Sequence, residues 1–226
     1  MSAAAELASR CAAHENVITR AFCEGGSVMY LILAVGLITL FIIVDQAISL
    51  QKLAIDKDNL NENLFSMLLR GDVKQAIAFC DKHPAPLTNV LKAGLIQVVN
   101  QRPDEEVQVA MDAAVLRETP RLERLSALLA VTGNVSVLVG LLGTIIGMIG
   151  SFKAVKAADA ATKAAKLSEG ISEALNCTAF GLLVAVLSII FYGIYQHRIG
   201  RAVNDMVESS MTFMNLVVSN RDKLKN

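Results

Sequence analysis

VGLLGTIIGMIGSF, residues 139–152, holds no charge, four glycines (Gly140, Gly143, Gly147, Gly150) and one threonine, Thr144. Each glycine weakens a helix by about 1 kcal/mol relative to alanine, so a helix that keeps four has a use for the space they leave. In a bilayer, where water no longer drives helices together, small residues let backbones approach and pack. The stretch closes a longer apolar block, residues 125–152, interrupted only by small or neutral polar residues. Two further blocks accompany it. Residues 27–50 have an unbroken apolar core from 28 to 44, and residues 170–195 contain one acid, Glu173, near the start. A bilayer core of roughly 30 Å needs about 20 apolar residues in a helix. Each block reads as a membrane span.

The distribution says more than the average. The chain has 226 residues, 54% of them hydrophobic, no tryptophan and a formal net charge of zero. A soluble domain would spread those apolar residues along amphipathic elements, whereas here they are concentrated. The first block follows 26 residues, its apolar core is too long for a signal peptide, and no small-x-small cleavage site follows it. It is therefore expected to stay as an anchor. The chain divides into a terminal segment (1–26), first span (27–50), helical domain (51–124), second span (125–152), connector (153–169), third span (170–195) and tail (196–226). With three spans, residues 51–124 and 196–226 share one side and carry 15 Lys and Arg, against 6 in residues 1–26 and 153–169. That bias places the N-terminus outside and the long loop and tail in the cytoplasm. Lys153, Lys156, Lys163 and Lys166 narrow it close to the spans.

Several chemistries find no support. Cys11, Cys23, Cys80 and Cys177 form no CxxC and read as free thiols, although Cys11 and Cys23 share a side and could pair. His14, His83 and His197 lack the i, i+4 spacing of a metal site. There is no Walker loop and no nucleophile–base spacing, so neither enzyme chemistry nor a bound cofactor is indicated. Residues 51–124 carry 10 basic and 11 acidic side chains without a basic stripe, which argues against nucleic acid.

Those residues read as helices. Leu60, Leu64, Met67 and Leu68 recur at helical spacing, and "RGD" (70–72) breaks the run. Val73, Ala76, Ile77 and Phe79 or Cys80 then rebuild an apolar face. "HPAP" (83–86) ends that helix, since proline cannot continue it. Acids after Pro103 start another, and the only proline from there to Phe152 is Pro120, so one nearly continuous helix is expected to rise into the second span. The Ala- and Lys-rich connector is expected to be helical, with Ser168 as N-cap of the third span.

Two spans carry the most information. Gly133, Val137, Gly140, Thr144, Gly147 and Ser151 share one helical face of the second. Ser136, Gly140, Gly143, Gly147 and Gly150 make an overlapping small stripe. In the third, Ala174, Thr178, Gly181, Ala185 and Ser188 follow at 4, 3, 4, 3 spacing. Close packing accounts for Gly140, Gly143, Gly147, Gly150 and Gly181. A threonine hydroxyl can close on its own helix carbonyl, so Thr144 and Thr178 alone prove no pathway. An acid at membrane depth is costly and faces a cavity or partner, which marks Glu173; a snorkelled, interfacial place is the alternative. Asp45 reads as an anchoring residue near the other interface.

"GLLGTIIGMIGSF" followed by "GISEALNCTAFGLLVA" resembles the MotA/TolQ/ExbB proton-channel family, nearest its ExbB/TolQ branch. "GGSVMYLILAVGLITLFIIVDQ" is similar to its first span, and "LRGDVKQAIAFCDKHPAPLTNVLKAGL" to its cytoplasmic helices, so the resemblance covers residues 25–201. It implies an all-α polytopic membrane protein with three transmembrane helices, two of them long, a helical cytoplasmic domain, and a homopentamer in the inner membrane of a Gram-negative bacterium. The N-terminus would be periplasmic and the C-terminus cytoplasmic. A central channel would hold two copies of an ExbD/TolR/MotB-like single-span partner bearing a proton-accepting aspartate, and a TonB- or TolA-like protein would follow. Thr144, Thr178 and Glu173 match the family's ion-pathway positions. The function implied is a proton-motive-force-driven stator energising envelope transport or gliding, with protons as coupling ion and no cofactor. Sodium coupling and a purely structural membrane scaffold are the alternatives. Family members commonly have proline near the position of Leu187; without it the third helix is expected to bend less.

Overall fold

A computed structural model describes residues 26–51 and 57–221, with side chains described outside 51 and 57–61. The terminal segment with Cys11 and Cys23, and the side chain of the face position Leu60, therefore lie outside what is described. The described elements are six helices: α1 Val28–Gln51, α2 Lys57–Leu69, α3 Val73–Lys82, α4 Pro86–Val99, α5 Asp104–Ala157 and α6 Lys163–Ser219. Three of them, α1, α5 and α6, are long and apolar enough to cross a membrane. The all-α, three-span class expected from the sequence is what the structure has, together with a larger helical region outside the membrane. Contacts divide the chain into two compact units, one built from residues up to 44 with 127–192, the other from 45–126 with residues 193 onward.

The long helices follow from local chemistry. Asp104, Glu105 and Glu106 occupy the first turn of α5, where the helix dipole favours acids. Its 54 residues run without interruption through Pro120. At 1.5 Å per residue that is about 80 Å of helix, far more than a bilayer core needs, and it is the continuous helix expected from the sequence. The connector is helical as expected on either side of a short turn, but the turn falls before the expected cap. α5 continues to Ala157, residues 158–162 turn, and α6 begins at Lys163. Ser168 is thus inside α6 and caps nothing. The Thr162 hydroxyl donates to the Asp159 carbonyl at 3.2 Å, and the Lys163 amide donates to the same carbonyl at 3.2 Å. That turn starts the helix early, and Ala164 and Ala165, the best helix formers, give it no reason to stop.

In the second unit, Gly71 at φ 82° adopts the left-handed conformation open to glycine, and its amide closes on the Leu68 carbonyl at 3.0 Å. This is the break expected at "RGD". Pro86 opens α4 at a position that needs no amide, and Thr88 Oγ1 accepts the Ala85 amide at 2.8 Å. Leu64 and Leu68 of α2, Val73, Ala76 and Cys80 of α3, and Val90, Leu91, Leu95 and Val98 of α4 are buried. Cys80 rather than Phe79 fills the fourth place on the α3 face.

α4 meets α5 and α6 at Gly94, where a Cβ would fall 2.7 Å from Met111 Sδ and 3.0 Å from Phe213 Cε1. Around this core sit polar ties. Gln46 Nε2 donates to the Leu122 carbonyl at 3.2 Å, and Glu118, 7% exposed, accepts from Arg121 at 2.8 Å and from Asn89 at 3.2 Å. Arg221 donates to the Arg102 carbonyl and pairs with Asp104, which joins the end of α6 to the start of α5.

Burial, and then the adjacent Asp81 carboxylate, push the Cys80 thiol from 9.0 up to about 11, with Lys92 opposing. A thiolate is the reactive form. Cys80 is therefore expected to resist a maleimide at pH 8 in the folded protein and to react once denaturant is added, with mass spectrometry reading the adduct. The sign of the linkage follows. The raised folded pKa keeps its stabilising contribution intact below about pH 9, and that contribution is lost as pH rises from there through about 11.

Candidate functional site

The first unit is organised by the antiparallel pair α5 and α6. On α5 the buried positions are Leu129, Gly133, Ser136, Gly140, Gly143, Gly147 and Ser151, a regular stripe of nearly all small residues. On α6 they are Gly170, Ala174, Cys177, Gly181, Ala185 and Ser188, with Thr178 half-buried among them. As α5 ascends in number, the residue it meets on α6 descends. A Cβ on Gly133 would fall 3.0 Å from Ser188 Cβ, one on Gly147 3.1 Å from Ala174 Cβ, and one on Gly170 2.4 Å from Ser151 Cβ. At the centre the contact is backbone to backbone. A Cβ on Gly181 would lie 2.8 Å from the Ser136 carbonyl oxygen and 3.0 Å from Gly140 Cα.

Hydroxyls sew the same seam. Ser136 Oγ donates to the Gly181 carbonyl at 2.9 Å, Thr178 Oγ1 to the Gly140 carbonyl at 3.2 Å, and Ser151 Oγ to the Leu167 carbonyl at 3.4 Å; Ser188 Oγ donates to the Leu129 carbonyl. Donors therefore come from both helices. Each accepting carbonyl is within reach only because the facing residues are small, so the glycines and the hydroxyls act together. Interhelical bonds of this kind contribute on the order of 1 kcal/mol each in a membrane.

The five packing glycines singled out from the sequence separate here. Gly140, Gly143, Gly147 and Gly181 all meet the partner helix, whereas Gly150 faces open space, with no atom of the chain within 4 Å of a Cβ built on it. Thr144 is half-buried and its hydroxyl donates back to the Leu141 carbonyl of its own helix at 2.6 Å. Thr178 instead bridges to α5. In both cases the single hydroxyl proton is held by a carbonyl, which leaves oxygen lone pairs as what the side chain offers to anything else.

Glu173 faces a third direction. Its carboxylate lies against Gly26, in the turn before α1. One turn further along α6, Cys177 packs with Met29 and Ile32 of α1, with Val139 and Phe180 at the edge. Within one chain, Glu173 and Thr178 are thus turned toward different neighbours, α1 and α5.

The buried stripe of α1 was not legible in advance. Met29, Ile32, Thr39, Ile43, Gln46 and Leu50 are buried and Gly36 is half-buried, at alternating spacings of three and four. The spacing is in the sequence, but a span that is apolar all round shows no contrast between its faces. Gly36 approaches Val184 of α6, and the Thr39 hydroxyl has no hydrogen-bond partner among the described residues. Asp45 is exposed. Large apolar side chains also remain uncovered along all three spans, including Phe41, Leu138, Leu141 and Leu183. Lipid or other protein must cover them. Among the described residues, no three His, Cys, Asp or Glu side chains are grouped to hold a metal ion.

Three membrane-crossing helices, two of them extended far beyond the bilayer and locked by small residues and hydroxyls, define a multi-pass helical membrane protein rather than a soluble bundle. The profile of the MotA/TolQ/ExbB proton channel family matches residues 82–208, more than half of the chain, and the protein belongs to that family. The matched region takes in α4, all of α5 and α6 through Glu208. Membership places the chain among transport and stator components rather than enzymes. No curated protein sequence gives a significant match.

Proposed function

We propose that the chain is the channel and stator subunit of a motor driven by the proton motive force in the bacterial inner membrane. In this reading five copies form a ring around the helices of an ExbD/TolR-like partner, and N-termini face the periplasm. Residues 51–124 and the tail are cytoplasmic. The membrane potential supplies about 2.3 kcal/mol per charge per 100 mV. Protons pass between the ring and the partner, load and leave the partner's membrane acid, and the resulting movement is handed to the envelope through a TonB- or TolA-like protein.

The observation that carries the reading is the family match across α5 and α6. The residue assignments are supported by position. Thr144 and Thr178 have their protons held by carbonyls at 2.6 and 3.2 Å, so their lone pairs are free to accept from a proton carrier. Glu173, beside the head of α1, sets the local field or passes the proton on. α6 runs past Leu187 as unbroken helix, without the proline common in relatives.

The test is proton flux into liposomes holding the chain with its single-span partner, compared between the native chain and the Thr144→Val/Thr178→Val double variant. Losing two hydroxyls at about 1 kcal/mol each predicts a fall of roughly 5- to 30-fold in partner-dependent flux. Unchanged flux would refute the assignment of these hydroxyls. Lost assembly with unchanged flux per assembled complex would favour the scaffold role, which the Thr178–Gly140 bond makes a specific competitor. Repeating the measurement with sodium as the only gradient separates the two coupling ions.

A further inference from the structure

Gly26 stands immediately before α1 with φ +64°, and its carbonyl receives the Met29 amide at 3.3 Å to start the helix. A Cβ added there would overlap Glu173 Oε1 outright and fall 2.8 Å from the carboxyl carbon and 3.4 Å from Cγ. The Glu173 carboxylate therefore occupies the space that any other residue at position 26 would fill. The neighbourhood is fixed independently of this contact, because Cys177 packs with Met29 and Ile32 one turn on. The dipole of α1 favours a negative charge at its amino end.

We infer that Gly26 is a positioning residue for Glu173: its bare α-carbon and left-handed turn form a seat that holds the carboxylate at the amino end of α1. Two independent features of position 26 serve the seat, the φ that admits glycine easily and the volume that a side chain would take. The inference rests on the proposed role of Glu173 in the ion path for its functional consequence, but not for its geometry. It ties α1, which lies outside the matched family region, to the charge on α6.

The two features are separable by substitution. Asparagine tolerates the left-handed turn but carries a side chain; alanine fails on both counts. Glu173→Asp withdraws the carboxylate by one methylene and reopens room. In liposomes containing the full chain and its partner, Gly26→Ala and Gly26→Asn are each expected to lower partner-dependent proton flux at least about fivefold, toward the level of Glu173→Gln. Adding Glu173→Asp to Gly26→Ala is expected to recover most of that loss. A purely structural role for Gly26 would lower stability in every variant and give aspartate no power of rescue. Native flux in both Gly26 variants, or a double variant no better than Gly26→Ala, overturns the proposal.

A second measurement reads the seat without any flux. In a chain with Cys11, Cys23, Cys80 and Cys177 changed to Ala, the pair Gly26→Cys and Glu173→Cys is expected to form an intrachain disulfide on mild oxidation, detected as a linked peptide by mass spectrometry. Absence of the link overturns the seat. If the native chain shows no partner-dependent flux while the link forms, the motor reading fails and the seat stands.

Discussion

Phe213→Ala is expected to loosen the second unit by about 3–5 kcal/mol, the usual cost of emptying a fully buried aromatic site. Phe213 is completely buried near the end of α6, and with Met111 of α5 it lies over Gly94 of α4. Three helices far apart in sequence meet at this point, so collapse of one onto the vacancy is resisted by the other two. Amide hydrogen exchange in detergent is the suitable measurement, because it reads opening segment by segment. Peptides of α4 and of α6 beyond Gly193 are expected to exchange roughly 100-fold faster or more, since each 1.4 kcal/mol is tenfold. Peptides from residues 127–192 are expected to change little. An acceleration below about fivefold would mean that Phe213 does not organise the unit.

The second large effect concerns the seam of α5 and α6. Gly181→Ala puts a Cβ 2.8 Å from the Ser136 carbonyl oxygen and 3.0 Å from Gly140 Cα. Neither is the end of a flexible side chain, so the helices have to part. Overpacking of this kind costs about 1–3 kcal/mol, against about 1 kcal/mol gained from alanine's helix propensity. Separation also lengthens the Ser136–Gly181 and Thr178–Gly140 bonds, now 2.9 and 3.2 Å. The expected result is a lower unfolding midpoint in detergent for Gly181→Ala, and failure to accumulate for Gly181→Leu. Gly150→Ala is the matched control, because that position meets nothing within the chain. It is expected to hold or raise the midpoint of the single chain. A drop confined to the assembled complex would place Gly150 against another copy or a partner helix.

These two cases show where sequence reasoning reaches and where it stops. The 4, 3, 4, 3 spacing of Ala174, Thr178, Gly181, Ala185 and Ser188 marked one face of α6, and all five do face α5. The spacing worked because small residues contrast with the Leu, Ile and Val around them. The same spacing in α1 is not distinctive, since Met29, Ile32 and Ile43 look no different in sequence from the exposed Leu31, Leu37 and Phe41. Glu173 is conspicuous as the one acid in the third span, but the glycine that receives it lies in the turn before another helix. Ser168 was misread because a favourable cap residue does not create a helix end; the turn at residues 158–162 had already made one upstream.

Composition alone determined that there are three spans and that two of them are thin-faced, because the transfer of apolar side chains into a bilayer is a property of each segment by itself. Which carbonyl each hydroxyl meets, which glycine is crowded and which stands open were decided only in the tertiary structure. Those contacts depend on the register and rotation of one helix against another. A shift of one residue turns a helix face by about 100°, which is enough to carry Thr178 away from Gly140 and Glu173 away from Gly26. No local stretch encodes that alignment; it is settled by the whole stripe of small residues closing at once.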